Sequence, residues 1–332
     1  MKRSYVRGVV LACGVLCLAM LHACKGNGAA VYEDKLSGEV GQILVVTEAP
    51  IKGEPFADSI RALFGEEYPY LPQVEPKFDV IFMPVKNFTG VFRSFRNIVV
   101  IDYKKDTTAC GIYSANNRWA DGQEVVYITG PSAEAVWQHM RASSYQLEQV
   151  FEQVERHRLI AGYKRARSKD LSKLVEHRFG VGVDIPKTMV QRVDTTDFVW
   201  ISLETSDISQ GIVCYRYAGS QLPSEADTLV LHRNGFTKRY IPGPTPGTYM
   251  QVAEAIPPEL TRLRFGVDTL VRMRGLWDVH GHAMGGAFIS YARLNPTRDS
   301  VVVTEGYIYA PRFNKRDYVR QLDAILLSHV VE

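Results

Sequence analysis

The sequence predicts an α+β protein of two domains, the first a mixed sheet with helices and the second a mainly antiparallel sheet with packed helices. In the first half, apolar β-rich runs alternate with segments of helical periodicity, which is typical of a sheet covered by helices. In the second half, successive strand patterns are separated by turns, which favours antiparallel pairing. The chain, at 332 residues, is long enough to bury two cores.

The first domain is predicted over residues 41–165. It begins with the apolar strand Gln42–Thr47 and a helix that has Pro55 in its first turn and Gly65 just past its end. A basic run at its end, from Arg156 to Lys169, predicts a solvated helix end and linker, with phosphate or lipid-headgroup binding as the alternative. The other predicted elements are strands at 78–82, 97–101 and 124–128 and one long helix at 131–158.

The second domain is predicted over residues 166–332. Its final helix is expected to start at an Asn314 cap and to turn Val319, Leu322 and Ile325 inward. The order of its elements resembles the Mog1/PsbP-like α+β fold, a likeness that implies no function. The elements before that helix are predicted as helices at 171–179 and 224–236 and strands at 181–185, 188–193, 198–203, 211–217, 267–279, 287–294 and 301–310.

The N-terminus has the pattern of an export signal. Basic residues precede an uncharged apolar run from Gly8 to Met20, which is shorter than the roughly 20 residues that span a membrane. The run ends at Leu21-His22-Ala23-Cys24, which resembles the lipobox of bacterial lipoproteins. That resemblance implies a signal peptide over residues 1–23, acyl chains such as palmitate on Cys24, and a tether over residues 24–40.

Charge gives the mature protein no reason to bind nucleic acid. Of the 39 Lys and Arg residues, Lys2, Arg3 and Arg7 precede Cys24, whereas none of the 36 acidic residues does. Cleavage therefore leaves equal numbers of basic and acidic side chains. A neutral protein lacks the basic surface that binds a phosphate backbone.

Two cysteines remain in the predicted domains. Cys110 and Cys214 lie in different halves of the chain, so a disulfide would have to join the two domains. An oxidising compartment would permit that bond. Two separate, partly buried thiols are the expected state, and the disulfide stays open as the alternative.

The sharpest candidate for chemistry is Asp278-Val279-His280-Gly281-His282. On one strand, Asp278, His280 and His282 would point to the same face and could bind a divalent metal, with help from Glu305 on a neighbouring strand. The alternative is a pair of solvated histidines at a strand end, because Gly281, Gly285 and Gly286 favour a turn. No nucleophile elbow or phosphate-binding loop accompanies this stretch.

Short segments spread along the chain resemble one family, the uncharacterised lipoproteins of Bacteroidota that contain domain of unknown function 4837. The resemblance implies an exported lipoprotein and supplies no activity, cofactor or catalytic residue. The segments are Leu71-Pro72-Gln73-Val74-Glu75-Pro76, Arg96-Asn97-Ile98, Phe198-Val199-Trp200, Gln210-Gly211-Ile212, Ile241-Pro242-Gly243, Thr248-Tyr249-Met250, Arg274-Gly275-Leu276-Trp277, Met284-Gly285-Gly286-Ala287-Phe288, Glu305-Gly306-Tyr307-Ile308-Tyr309-Ala310-Pro311, Lys315-Arg316-Asp317-Tyr318 and Gln321-Leu322.

These observations predict a cell-envelope lipoprotein that acts as a non-catalytic binding or assembly module. We expect no cofactor, a membrane anchor at Cys24, and an envelope protein or a glycan as partner. Acidic residues are absent directly after Cys24, which favours the periplasmic face of the outer membrane. Two alternatives stay open: a metal-dependent hydrolase using Asp278, His280 and His282, and a carrier of a lipid or other apolar ligand.

Overall fold

Two β-sheets, one in each half of the chain, form the framework of the protein. The computed structural model describes residues 35–48, 55–104, 106–266, 268–295 and 299–331. Within these ranges one sheet is mixed, the other is antiparallel, and helices cover both, which confirms the predicted α+β class. The predicted signal peptide, Cys24 and most of the predicted tether lie outside the described residues. No helix in the described part of the chain combines the length and apolar character of a membrane span.

The N-terminal sheet has five strands. They are β1 (Gln42–Thr47), β2 (Asp79–Pro84), β3 (Asn97–Tyr103), β4 (Gly111–Asn116) and β5 (Glu124–Gly130). The spatial order is β2-β1-β3-β5-β4, and only β4 runs antiparallel to its neighbour. Side chains of β1 alternate between two apolar clusters, with Ile43 and Val45 on one face and Leu44 and Val46 on the other. Burial on both faces explains why β1 is a continuous apolar run.

Three helices belong to this half. They are α1 (Pro55–Phe64), α2 (Ala133–Ala142) and α3 (Ser144–Ala166). The single long helix predicted over residues 131–158 is wrong, because the chain breaks at Ser143. The Ser143 N–H closes α2 on the carbonyls of His139 and Met140, while its own carbonyl opens α3. Met140 and Leu147, on either side of the break, bury in the same core cluster.

The predicted solvated linker is also wrong at its start, because Arg156 and Arg158 are structural. Arg158 donates hydrogen bonds to the backbone carbonyls of Arg96 (2.7 Å) and Gly122 (2.6 Å) and to the side chain of Asn97 (2.8 Å). The basic run therefore begins inside α3, packed on the N-terminal sheet. The predicted boundary at residue 165 falls in the last turn of that helix.

The C-terminal sheet has eight antiparallel strands. They are β6 (Val190–Asp194), β7 (Phe198–Glu204), β8 (Ser209–Ala218), β9 (Tyr249–Val252), β10 (Glu259–Phe265), β11 (Asp268–His280), β12 (His282–Asn295) and β13 (Ser300–Tyr309). The order is β10-β11-β12-β13-β8-β7-β6, with β9 also paired to β11. The long predicted strands are confirmed, and β12 and β13 pair as a hairpin from Asn295 and Ser300.

The strand predicted at residues 181–185 does not form, although four of its five residues are buried. Side chains take the place of a neighbouring strand there. The hydroxyl of Ser328 accepts the N–H of Asp184 (2.8 Å), and that of Ser172 accepts the N–H of Ile185 (3.0 Å). Backbone groups satisfied in this way need no ladder partner.

Helices cover both faces of the C-terminal sheet. They are α4 (Lys169–Phe179), α5 (Ala226–Tyr240) and α6 (Arg316–Leu326). Val175 of α4 and Leu322 of α6 bury in the cluster on one face, whereas Leu229 of α5 buries in the cluster on the other. Helix α6 also packs along α3, so it lies between the two halves of the chain.

The predicted Asn314 cap of the last helix is wrong, because the cap comes from the N-terminal half. The buried carboxylate of Glu75 accepts the backbone N–H groups of Lys315 (2.6 Å) and Arg316 (2.9 Å). A carboxylate at this position satisfies two free donors and complements the helix dipole. The cap thus ties the segment before β2 to the start of α6.

Two arginines of α6 extend this contact. Arg316 donates to the carbonyl of Pro76 (2.9 Å) and pairs with Asp79 (3.0 Å). Arg320 donates to the carbonyl of Lys77 (2.7 Å) and pairs with Glu152 of α3. One helix of the C-terminal half is therefore bound to two separate segments of the N-terminal half.

Asp323 completes the polar side of α6. It accepts hydrogen bonds from Arg156 of α3 (2.9 Å) and from the hydroxyl of Tyr291. Burial alone would raise the pKa of Asp323, but the positive charges of Arg156 and Arg274 hold it below its usual value. The carboxylate is therefore ionised at neutral pH, which keeps the contact between α3 and α6 charged.

We predict that Glu75→Ala lowers the free energy of unfolding by about 2–3 kcal/mol, because two helix N–H groups lose a charged acceptor in a buried place. Urea unfolding followed by far-UV circular dichroism measures the change. The control is Glu67→Ala, since Glu67 is exposed nearby and should change stability by less than about 0.5 kcal/mol. Equal effects of the two substitutions would contradict the capping role.

Candidate functional site

The structure separates the three residues of the predicted metal site. Gly281, at a φ of +80°, reverses the chain, so Asp278 and His280 end β11 while His282 begins β12. The ring of His280 stacks on Tyr249 with centroids 4.9 Å apart, and both histidines are exposed. No group of three His, Cys, Asp or Glu side chains that could hold a metal occurs among the described residues. The turn at Gly281 therefore interrupts the single strand on which the one-face arrangement of the three residues depended.

The two cysteines are separate free thiols. Cys110 precedes β4 in the N-terminal half, and Cys214 is buried in β8 of the C-terminal sheet. Burial raises the pKa of the Cys214 thiol to about 12, so it is protonated at neutral pH. Cys214 therefore offers no thiolate at the surface.

Aromatic side chains of the C-terminal sheet gather instead around a cavity of about 250 Å³, here called the aromatic cavity. Strands β7, β8, β9, β11, β12 and β13 and the segment between α5 and β9 contribute to its wall. The lining residues are Trp200, Glu204, Ser209, Ile241, Pro242, Gly243, Pro244, Met250, Trp277, Val279, Met284 and Tyr307.

A glycine allows two of the aromatic rings to meet across a strand. Trp200 of β7 and Tyr307 of β13 flank β8, and the Trp200 Nε1–H donates to the Tyr307 hydroxyl at 2.9 Å. Gly211 of β8 lies between them, and a Cβ atom there would come within 2.2 Å of the Tyr307 ring. The absence of a side chain at Gly211 therefore gives this ring its position.

Trp277 of β11 forms the inner wall of the aromatic cavity. Its ring meets Tyr307 edge-on, with centroids 5.7 Å apart and an interplanar angle of 74°. Only 2% of Trp277 is exposed, and its Nε1–H has no hydrogen-bond partner among the described residues. One unpaired donor thus lies beside an otherwise apolar wall.

The polar groups of the lining largely satisfy one another. Trp200 donates to Tyr307, as described, and the Ser209 hydroxyl donates to Glu204 at 2.9 Å. Burial is the main cause that raises the pKa of Tyr307, so its hydroxyl stays neutral. The cavity therefore offers contact surface to an apolar group and few free hydrogen-bonding groups to a polar one.

A buried ion pair supports the cavity from behind. The Arg233 Nε of α5 donates to both carboxylate oxygens of Glu305 on β13 (3.0 and 2.9 Å), and both side chains are fully buried. Arg233 also contacts the sulfur of Met250, a lining residue, at 3.5 Å. Burial raises the pKa of Glu305, an effect that the charge of Arg233 opposes. Glu305 is therefore a structural partner of Arg233 and is not available as a metal ligand.

Comparison with known proteins finds a family model that matches the segment containing the aromatic cavity. A family model described as "Domain of unknown function (DUF4837)" matches residues 168–328. This half of the chain belongs to the DUF4837 family. A second model, "Domain of unknown function (DUF8532)", matches residues 37–164.

The DUF4837 match covers the whole aromatic cavity, since every lining residue lies between Trp200 and Tyr307. No curated protein matches the sequence. Among solved structures, the human StarD13 (DLC2) lipid transfer and protein localization domain aligns with 12% identity and a TM-score of 0.21. The alignment covers 48% of this chain and 94% of that domain.

Most lining residues lie in the short segments that carry the resemblance to DUF4837 proteins. The sequence alone does not indicate that these segments form one site. Trp200, Pro242, Met250, Trp277 and Tyr307 come from five such segments. They are far apart in the chain, and only the strand order of the sheet brings them together.

We predict opposite effects of one substitution at two glycines. Gly211→Ala should lower the free energy of unfolding by about 1–3 kcal/mol, because the new methyl group displaces the Tyr307 ring. Gly235→Ala, on the exposed side of α5 with open space around it, should raise it by about 0.5–1 kcal/mol. Thermal or urea unfolding measures both. A neutral Gly211→Ala would show that the close approach does not fix the ring.

Proposed function

We propose that this protein is a lipid-anchored lipoprotein of the cell envelope and that its folded body is a non-catalytic binding module. Its binding site is the aromatic cavity, and its ligand is an apolar group of an envelope partner. The observation that carries this proposal is the lining itself: three aromatic rings, two methionines and two prolines around about 250 Å³. Aromatic and methionine side chains are enriched at protein–protein contact sites.

The hydrogen bonds of the lining favour a protein partner over a glycan. A sugar ring needs several free donors and acceptors, whereas the Trp200–Tyr307 and Ser209–Glu204 bonds occupy most of the polar atoms of the lining. The Nε1–H of Trp277, which has no partner among the described residues, is buried and gives a sugar hydroxyl no accessible donor. An apolar side chain of a partner therefore fits this lining better than a sugar ring does.

The volume of the cavity argues against the carrier alternative. Pockets that enclose a drug-sized ligand have about 300–1,000 Å³, and a membrane lipid is larger than such a ligand. About 250 Å³ holds one side chain or a short alkyl segment. The solved lipid-transfer domain does not alter this argument, because its TM-score of 0.21 lies below the level of a shared fold.

The place where the tether reaches the body supports a membrane-proximal orientation. Ser37 pairs with the turn before β3, its N–H donating to the Ser94 carbonyl (2.9 Å) and its hydroxyl to the Val91 carbonyl (3.1 Å). On that turn, Val91 is 64% and Phe92 42% exposed. Acyl chains on Cys24 would therefore hold an apolar part of the body close to the lipid surface, which we propose to be the periplasmic face of the outer membrane.

The cavity is tested with n-alkanols of increasing length, measured by calorimetry on the mature chain carrying Cys24→Ser. Affinity should rise by about 0.8 kcal/mol per methylene and then stop rising once the chain fills the cavity. Trp200→Ala should weaken binding at least about tenfold, whereas the matched control Trp137→Ala, in α2, should not. An increase that continues to palmityl length would favour a lipid carrier, and equal binding by both variants would place the site elsewhere.

The anchor is tested with Cys24→Ser, which removes the acylated side chain. The wild-type protein should sediment with membranes, and the variant should move to the soluble fraction, because two or three acyl chains supply most of the membrane affinity. Cys110→Ser is the matched control and should stay with the membranes. Retention of the Cys24→Ser protein in the membrane fraction would contradict the lipoprotein assignment.

A further inference from the structure

A second cavity, of about 470 Å³, lies between the two halves of the chain and is here called the inter-half cleft. Helix α3 forms one wall, strands β10 and β11 form the other, and the segment before β2 closes one end. The lining residues are Tyr68, Pro69, Lys77, Tyr145, Glu148, Gln149, Glu152, Arg156, Glu259, Thr261, Leu263, Arg272 and Arg274. In contrast to the aromatic cavity, this lining is rich in charged side chains.

Most cations at the cleft already have a carboxylate partner. Lys77 pairs with Glu148 at 2.8 Å, Arg156 pairs with Asp323 at 2.9 Å, and Arg320, directly behind the lining, pairs with Glu152. These pairs use two of the three acidic side chains of the lining. The third, Glu259, accepts the hydroxyl of Thr261 at 3.1 Å.

Arg272 and Arg274 are the exceptions. Neither forms an ion pair within the described part of the chain, and the Nε–H of each is buried without a hydrogen-bond partner there. Arg272 donates one bond to Thr261 (3.3 Å), and Arg274 lies over the ring of Tyr68 at 5.9 Å. Two guanidinium groups therefore face the cleft with most of their donors unused.

The two arginines also lie close enough to act together. They are two positions apart on β11, so their side chains leave the same face of the strand about 7 Å apart. Burial lowers the pKa of Arg272, and the neighbouring charge of Arg274 lowers it further. Burial also opposes the charge of Arg274, but Tyr68, Asp323 and Glu152 raise its pKa overall. Both carboxylates are already paired with other cations, so an anion beside the two guanidinium groups would stabilise them further.

We propose that the inter-half cleft binds a small oxyanion, a phosphate or carboxylate group, held between the guanidinium groups of Arg272 and Arg274. Guanidinium donors match the oxygens of such groups in pairs, which a lysine cannot do. The lining carries four cationic and three acidic side chains, so an anion also balances the charge of the cleft. The site is distinct from the aromatic cavity, and neither proposal depends on the other.

The test uses the full-length mature protein in neutral detergent micelles and measures the midpoint of thermal unfolding. Inorganic phosphate and citrate are the soluble probes, compared with chloride at equal ionic strength. Phosphatidic acid added to the micelles is the probe for a lipid headgroup. At least one probe should raise the midpoint of the wild-type protein, and the dissociation constant follows from its concentration dependence.

Arg272→Gln and Arg274→Gln should each weaken that binding by about tenfold, because each removes charged hydrogen bonds to the anion. Arg262→Gln is the matched control, since Arg262 is exposed on β10. Arg272→Lys keeps the charge with little change of volume, and a partial loss of affinity is expected because the forked donor is gone. It also keeps the test valid if a glutamine variant does not fold.

The outcomes separate the sources of the anion. A response to phosphate or citrate identifies a soluble ligand, and a response to phosphatidic acid alone identifies a lipid headgroup; both support the proposal when Arg272 and Arg274 are required. Two results overturn it. One is a wild-type protein that no probe stabilises beyond chloride, and the other is equal stabilisation of the wild-type and glutamine variants.

Discussion

The arrangement of the two halves depends on one element, helix α6, and on the charges that surround its first two turns. Glu75 caps the helix from the opposite half, while Arg320 and Asp323 pair with Glu152 and Arg156 of α3. Buried charges lower stability unless every group finds its partner, so this contact tolerates only one geometry. The helix that closes the core of the C-terminal sheet therefore also joins the two halves of the chain beside the inter-half cleft.

The aromatic cavity depends on a second buried pair, on the opposite face of that sheet. Arg233 and Glu305 join α5 to β13, and Arg233 reaches Met250 in the wall of the cavity. Because the ion pair is fully buried, removal of either partner would leave an uncompensated charge, and α5 would lose its position. The rings of Trp200 and Tyr307 then bond to each other instead of to a ligand. A wall whose polar side chains mostly bond to one another recognises shape and apolar surface.

The sequence predicted local features well where one physical signal dominates. Strand β1 coincides with its predicted bounds because both faces are buried, and α1 lies between Pro55 and Gly65 as expected. Predictions were wrong where a side chain distant in sequence bonds to the backbone. The Ser328 hydroxyl accepts a backbone N–H in residues 181–185 in place of a neighbouring strand, and Glu75 caps the last helix in place of Asn314. The candidate site could not be predicted for the same reason, because its walls come from strands that meet only in the folded sheet.

Strand β11 shows how one segment serves both cavities. Its alternate residues point to opposite faces, so Trp277 lines the aromatic cavity while Arg272 and Arg274 line the inter-half cleft. An antiparallel strand with one solvated face needs no explanation for polar residues, but these arginines point between two packed halves of the protein. Charged residues at such positions conflict with the apolar pattern that stabilises an interior. Arg272 and Arg274 occupy such positions without a carboxylate partner, which is not what packing and charge pairing favour. Exceptions of this kind are concentrated at functional sites. The arginine pair, with open volume beside it and no carboxylate bonded to it, therefore indicates a ligand site, whereas the fully paired charges around α6 do not.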